Sequence, residues 1–218
     1  MTPWLAFQLA DSALPTGGFA HSGGLEAAVQ LGRCRGAAGL ERFVEEALWQ
    51  AGSLAVPFVL AAARAPERLA DLDARCDAAT PGHVANRASR AQGRALLRAA
   101  RAFGPAAGAL EDEVRRAGLA GHLAPISGAL LAALGAAADH AARLHLFVVA
   151  RGVVSAGVRL GLVGPLEAQA ALLRAGAVAE AVLAATAGRA PEDAAATSPL
   201  LDLLQSHQDR LYSRLFQS

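Results

Sequence analysis

The apolar residues of this chain recur at offsets of three and four almost from end to end. β-Branched residues gather only between Val148 and Val158. Ala, Leu and Arg fill most of the rest. A sheet needs period-two runs rich in Val, Ile, Thr and aromatics, so this pattern restricts the chain to helices. Hydrophobic residues make up 54% of the sequence but aromatics only 5%, so Ala and Leu must do most of the packing. Ala-rich faces let helices approach closely. The length of 218 residues lies within the reach of one helical core, and no repeat or second domain is visible. The expectation is all-α: a single-domain helical bundle of about ten helices over residues 1–218, by the apolar periodicity.

Proline and glycine set the expected boundaries. A short helix over 3–9 precedes one from Leu25 to Leu31, which ends at Gly32. Leu40, Phe43, Val44, Ala47, Leu48 and Ala51 mark the next, and Pro57 should kink or end it near Val56. Pro66 begins another short helix. Thr80-Pro81 reads as the cap and first residue of the helix running from His83 to Arg101. Further helices are expected over 105–116, from Gly121-His122 to Leu134, from Asp139 onward, and from Gly164-Pro165 to Thr186. Residues 188–197 read as a mobile linker. The last helix spans 198–218, with Ser198 as N-cap, Pro199 at N1, Asp202 in the first turn and Arg214 in the last. Leu200, Leu203, Leu204, His207, Leu211 and Leu215 form its apolar stripe.

Charge and composition exclude several chemistries. The net charge of +1 favours neither nucleic acid nor an acidic substrate. Every basic residue is arginine, so a Walker A loop and Schiff-base chemistry, both of which need a lysine, are ruled out. Cys34 and Cys76 form no CxxC pair and read as free buried thiols. Residues 1–8 carry no basic n-region of a signal peptide. The apolar stretches 123–138 and 144–164 are interrupted, the first by Pro125 and the second by Arg151 and Arg159. Both therefore read as core helices of a cytoplasmic protein and not as membrane spans.

One stretch departs from the helical monotony. In Leu9–Glu26, Pro15, four glycines, two serines and the lone aromatic Phe19 fall close together. Such a turn presents Phe19 and His21 at a defined place, and Ser22 or Gly23 can cap a helix that starts near Leu25. From the residues alone, a plain helix–loop–helix connector with an anchoring Phe is the more economical reading. Arg87, Arg90, Arg94, Arg98 and Arg101 share one helical face, which is either solvated surface or a docking face for an acidic partner. Ser12, Ser22, His21 and Asp11 are near neighbours in sequence but form no nucleophile elbow. His140 and His145 are five apart and share no face as a metal pair. His21, His207, Cys34 and Glu26 could meet a passing metal ion only weakly, and no structural metal and no catalytic residue is expected.

The run L-A-D-S-A-L-P-T-G-G-F-A-H-S-G-G-L-E-A resembles the N-terminal signature of the urease accessory proteins of the UreF family. The tail S-P-L-L-D-L-L-Q-S-H-Q-D-R-L-Y-S-R-L-F-Q-S is similar to that family's C-terminal signature, with Asp202, His207, Arg214, Leu215, Phe216 and Ser218 at matching positions. Gln208 replaces the family's usual glutamate. The blocks Asn86–Ser89 with Gln92-Gly93, Gly121-His122 and Ser155–Gly161 fit in order. The resemblance implies a non-catalytic, all-helical homodimer. It further implies a complex with UreD (also called UreH) and the GTPase UreG that delivers nickel to apo-urease and gates GTP hydrolysis. It places partner contacts in the loop 1–24 and the tail, at Phe19 and Arg214 first, then His21, Asp202, His207 and Phe216. The alternative is a general helical interaction module or small-molecule-binding bundle unrelated to urease.

Overall fold

The elements begin and end largely where proline and glycine dictate. The computed structural model describes all 218 residues as eleven α-helices and no strand. These are α1 (Pro3–Ala10), α2 (Leu25–Gln30), α3 (Gly36–Leu54), α4 (Val56–Arg64), α5 (Leu69–Ala79) and α6 (His83–Ala100). They continue with α7 (Pro105–Arg116), α8 (Leu123–Ala133), α9 (Ala138–Arg159), α10 (Pro165–Thr186) and α11 (Pro199–His207). The chain bends by 43° between α3 and α4, next to Pro57, whose missing N–H breaks the helical ladder.

Two expected boundaries need correction. Thr80 does not cap α6. Its Oγ1 donates back to the Cys76 carbonyl at 2.9 Å and closes α5, while extended Gly82 leads into α6. The last helix does not reach Arg214. It stops at His207, a 3₁₀ turn follows over Gln208–Arg210, and the rest of the tail carries no helix. The physical reason is tertiary. The N–H groups of Leu215 and Phe216 bond to a side chain of α2 and not to carbonyls four residues back.

α9 runs through the centre and packs against α1, α2, α3, α4, α8 and α10. Two apolar cores flank α4. Val56 and Leu60 join Leu25, Leu40, Leu48, Leu146 and Val182 on one side. Phe58 and Val59 join Leu72, Leu97 and Ile126 on the other. Each such side chain stabilises the fold by about 1.5–3 kcal/mol on full burial. Ser127, Gly128 and Ala129 of α8 are all buried, and their small size lets α8 lie close against α4.

α9 and α10 are both long and apolar enough to cross a membrane. Half of the apolar stretch of α9 is covered by its neighbours, against 28% for α10. The outer face of α10 therefore carries bare leucines, Leu166 at 87% exposure and Leu173 at 82%. Residues 188–197 are tethered to the bundle at several points. Glu192 pairs with Arg75 at 3.0 Å, Ala195 N–H donates to the Ser53 carbonyl, and the Gln50 amide oxygen accepts from the N–H groups of Thr197 and Ser198.

Candidate functional site

Local sequence shapes the loop before any long-range contact does. Gly17 adopts φ +74° and starts a 3₁₀ turn over Gly18–Ala20. Gly24 adopts φ +91°, and a Cβ there would stand 2.9 Å from the Gln205 backbone nitrogen of α11. Both the left-handed backbone and the close approach of α11 require glycine at this point. The buried Ser22 hydroxyl accepts from Glu26 N–H at 3.3 Å and donates to the Ser218 carbonyl at 2.8 Å, so it braces the first turn of α2 and holds the tail at once, while the cap residue itself is Gly24 and not Ser22 or Gly23.

The tail is laced along this loop. Gln217 N–H donates to the Ala20 carbonyl at 2.7 Å, His21 Nδ1 lies 2.7 Å from Ser218 Oγ, and the Gln30 amide donates to the Ser213 carbonyl at 2.8 Å. At the centre lies Glu26, only 1% exposed. Its carboxylate accepts from Gln208 Nε2 at 2.6 Å, Leu215 N–H at 2.7 Å and Phe216 N–H at 3.1 Å. A buried carboxylate is tolerable when such donors replace its water. Gln208 is fully buried, and its amide also donates to the Phe216 carbonyl at 3.1 Å. The glutamine fits this place because an ionised glutamate has no N–H to give Glu26. The Gln208 carbonyl oxygen is left without a partner.

Arg159 joins the two segments from α9. Its guanidinium lies 3.7 Å from the centre of the Phe19 ring and 4.1 Å from that of Phe216, and it donates to the Phe19 carbonyl. Cation–π contacts of this kind are worth about 0.5–2 kcal/mol each. Sequence alone does not mark Arg159 as a site residue, although it stands inside the Ser155–Gly161 block. Its partners lie 140 residues and 57 residues away in the chain (159 − 19 and 216 − 159), beyond any local pattern.

Of the residues the sequence pointed to, Phe19, His21, Arg214 and Phe216 come together here. Phe19 is 69% exposed, and in the tail Arg214, Leu215 and the fully exposed Tyr212 also reach solvent. Phe216 is only 4% exposed and spends its ring on Arg159 and the core. Burial, with the Arg87 charge adding, holds the His21 imidazole below its ordinary pKa. Asp202 accepts from the Gln50 amide at 2.9 Å and ties α11 to α3. His207 is half-buried at the end of α11. On α6, Arg87 pairs with Asp209 while Arg90, Arg94 and Arg98 make no ion pair; Arg101, in the 3₁₀ turn just after α6, pairs with Glu111 and Asp112. Beneath the loop runs a groove of about 730 Å³, floored by Gly152 and Ser155 of α9 and flanked by His145, Arg151 and Arg159.

A second polar cluster sits inside the bundle. Asp73, buried between α5 and α8, accepts from Gly121 N–H at 3.1 Å and His122 N–H at 2.7 Å. His122 Nε2 donates to Asp77 at 2.9 Å, so its Nδ1 accepts from the Ser89 hydroxyl at 3.1 Å. Ser89 Oγ also accepts Leu123 N–H at 3.1 Å. A Cβ on Gly93 would stand 2.2 Å from the Gly121 carbonyl, which lets α6 press against this turn. Ser89, His122 and Asp77 thus resemble a triad in composition only. The imidazole is fully buried, and the hydroxyl is committed to both the ring and a backbone amide. No three His, Cys, Asp or Glu side chains gather closely enough to hold a metal ion. Burial, with the Asp73 charge adding, pushes the Cys76 thiol up to about 12, far from a reactive thiolate.

Comparison with known proteins identifies the pattern. The UreF family model matches residues 34–176 and so leaves both the loop and the tail outside it. Whole-chain relatives extend over these segments. The urease accessory protein F of Arabidopsis thaliana is 40% identical over 222 residues, covering 99% of this chain and 92% of its own. That of Oryza sativa subsp. japonica is 39% identical over 220 residues, covering 98% and 84%. The urease accessory protein UreF of Mycobacterium tuberculosis is 36% identical over 211 residues, covering 96% of each chain. With its all-helical fold and matches of this extent, the chain belongs to the UreF family of urease accessory proteins.

Proposed function

We propose that this chain is a non-catalytic, cytoplasmic urease maturation factor whose loop–tail clasp binds the accessory protein UreD (UreH). On that complex it gathers the GTPase UreG and apo-urease, gates GTP hydrolysis, and promotes nickel delivery. The observation that carries the reading is the clasp itself. Two distant segments are fastened by a buried carboxylate, yet they leave Phe19, Tyr212, Leu215 and Arg214 in solvent. Aromatic and arginine side chains on a rigid base are the composition of interaction hot spots. Membership of the UreF family supports the role in urease maturation. The bare face of α10 at Leu166 and Leu173 supports self-association, because a second copy would cover it.

The test is reconstitution. Wild-type chain mixed with UreD and UreG should co-elute as one complex and restore nickel-dependent urease activity to cells lacking this gene. Phe19→Ala should lose both while remaining helical. Separate elution of the wild-type proteins, or normal urease maturation in the deletion strain, would refute the assignment. For self-association, Leu173→Arg should halve the mass measured by light scattering.

A further inference from the structure

The tail returns onto α6 at one point, where Arg87 and Arg214 converge on a single acid. Arg87 donates to both Asp209 oxygens at 3.0–3.1 Å, and Arg214 Nη1 donates to Oδ1 at 3.0 Å. His83 Nε2 stands 3.3 Å from the other oxygen. One carboxylate thus serves two guanidinium groups, so a net positive charge remains, and Arg214 spends only one of its five N–H donors there. The exposed Arg210 next to Asp209 has no ion pair to offset this excess. Just past the other end of α6 the charges balance, with Arg101 and Arg115 sharing Glu111 and Asp112. An open cleft of about 380 Å³ adjoins the two arginines, lined by Arg87, Arg214, Leu215, Phe216 and Gln217. Leu215 is exposed beside them.

From this arrangement we infer that Arg87 and Arg214 form a two-arginine receptor for an acidic segment of the protein partner. A carboxylate of that segment joins Asp209 between the guanidiniums, and an adjacent apolar side chain lies on Leu215. The inference rests on the reading that the clasp binds a partner, and it adds a residue of α6 and a chemistry to that surface. Paired arginines suit the role because a planar fork meets a carboxylate through two parallel hydrogen bonds. Asp209 is a positioning residue. It holds both arginines in register before the partner arrives, which lowers the ordering cost of association.

The test measures affinity of the full chain for purified UreD by calorimetry, at 0.1 M and 1 M NaCl, where the screening length falls from about 10 to 3 Å. Wild type should weaken as salt rises. Arg87→Glu should bind about tenfold or more weaker at 0.1 M and lose most of that salt dependence. Arg87→Gln should fall between the two. Arg94→Glu, two turns along the same exposed face, should bind as wild type. If wild type binds but Arg87→Glu matches it at both salts, the receptor does not exist while the clasp reading stands. If wild type fails to bind UreD at either salt, the clasp reading itself falls, and this inference with it.

Discussion

Glu26 and Asp73 are the same device in two places, and the difference lies in what each one holds. Both carboxylates are buried, and both are satisfied chiefly by N–H groups from a segment remote in sequence. Asp73 fastens the turn before α8 to α5, inside the bundle, and in that cluster only the polar side chains of Asp77 and, in part, Ser89 reach solvent. Glu26 fastens the tail to the loop at the margin, and the outer side of what it holds carries Phe19, Tyr212 and Leu215. An inner brace fixes helices against helices. An outer clasp fixes a surface without being part of it. Removing the first should therefore cost the fold, and removing the second should cost mainly the surface.

The largest expected effect is at the inner brace. Asp73→Ala strands the N–H groups of Gly121 and His122, at about 1–3 kcal/mol for each unmade bond. Melting of the whole bundle should then shift down by roughly 10 °C for a chain of this size. Equal melting of variant and wild type would erase the distinction between brace and clasp.

Acid comes next, through His145, which lies under the loop between the two clusters. Burial holds its pKa down to about 4 from an ordinary 6.5. A base depressed in the folded state leaves stability intact above the unfolded value, and that stability drains as pH falls toward the folded one. Between pH 6.5 and 4 the bundle should lose roughly 3 kcal/mol from this residue alone. His145→Leu should flatten that part of the stability–pH curve. An unchanged slope in chemical denaturation across the range would contradict the burial argument.

The outer clasp should respond more locally. Glu26→Gln places an amide opposite the Gln208 amide and removes the charge that draws three donors, weakening tail docking by about 2 kcal/mol. Trypsin should then cut sooner after Arg210 and Arg214 while helicity by circular dichroism stays near wild type. Global melting with no faster tail cleavage would make Glu26 another inner brace. The smallest effect on stability belongs to Arg214→Ala. Its half-exposed ion pair with Asp209 is worth at most about 1 kcal/mol, so melting should move little while affinity for UreD falls.

How much of this could be read from sequence follows the same division. Helix boundaries announced themselves wherever Pro or Gly acted locally, as at Pro57, Gly104-Pro105 and Gly164-Pro165. The end of α11 did not, because Glu26 lies nearly two hundred residues away and outcompetes the helix for the N–H groups of Leu215 and Phe216. The two unusual segments stood out, and Phe19 and Arg214 are where a reader of the motifs would look. Their fasteners did not stand out. Glu26 reads as an ordinary first-turn acid, Arg159 as one arginine among twenty, and Asp209 as tail polarity, since each acquires its role only through a partner distant in sequence. The arginine face of α6 was visible, but its division into self-paired ends and a free middle depends on acids of α7 and the tail.

Hydrogen–deuterium exchange on the full chain, alone and saturated with UreD, tests the central claim most directly. Exchange should slow together in residues 12–22 and 208–218, with α10 and the middle of α6 unaffected. Protection on the outer face of α10, with both of those segments exchanging as in the free chain, would place the partner elsewhere and contradict the account.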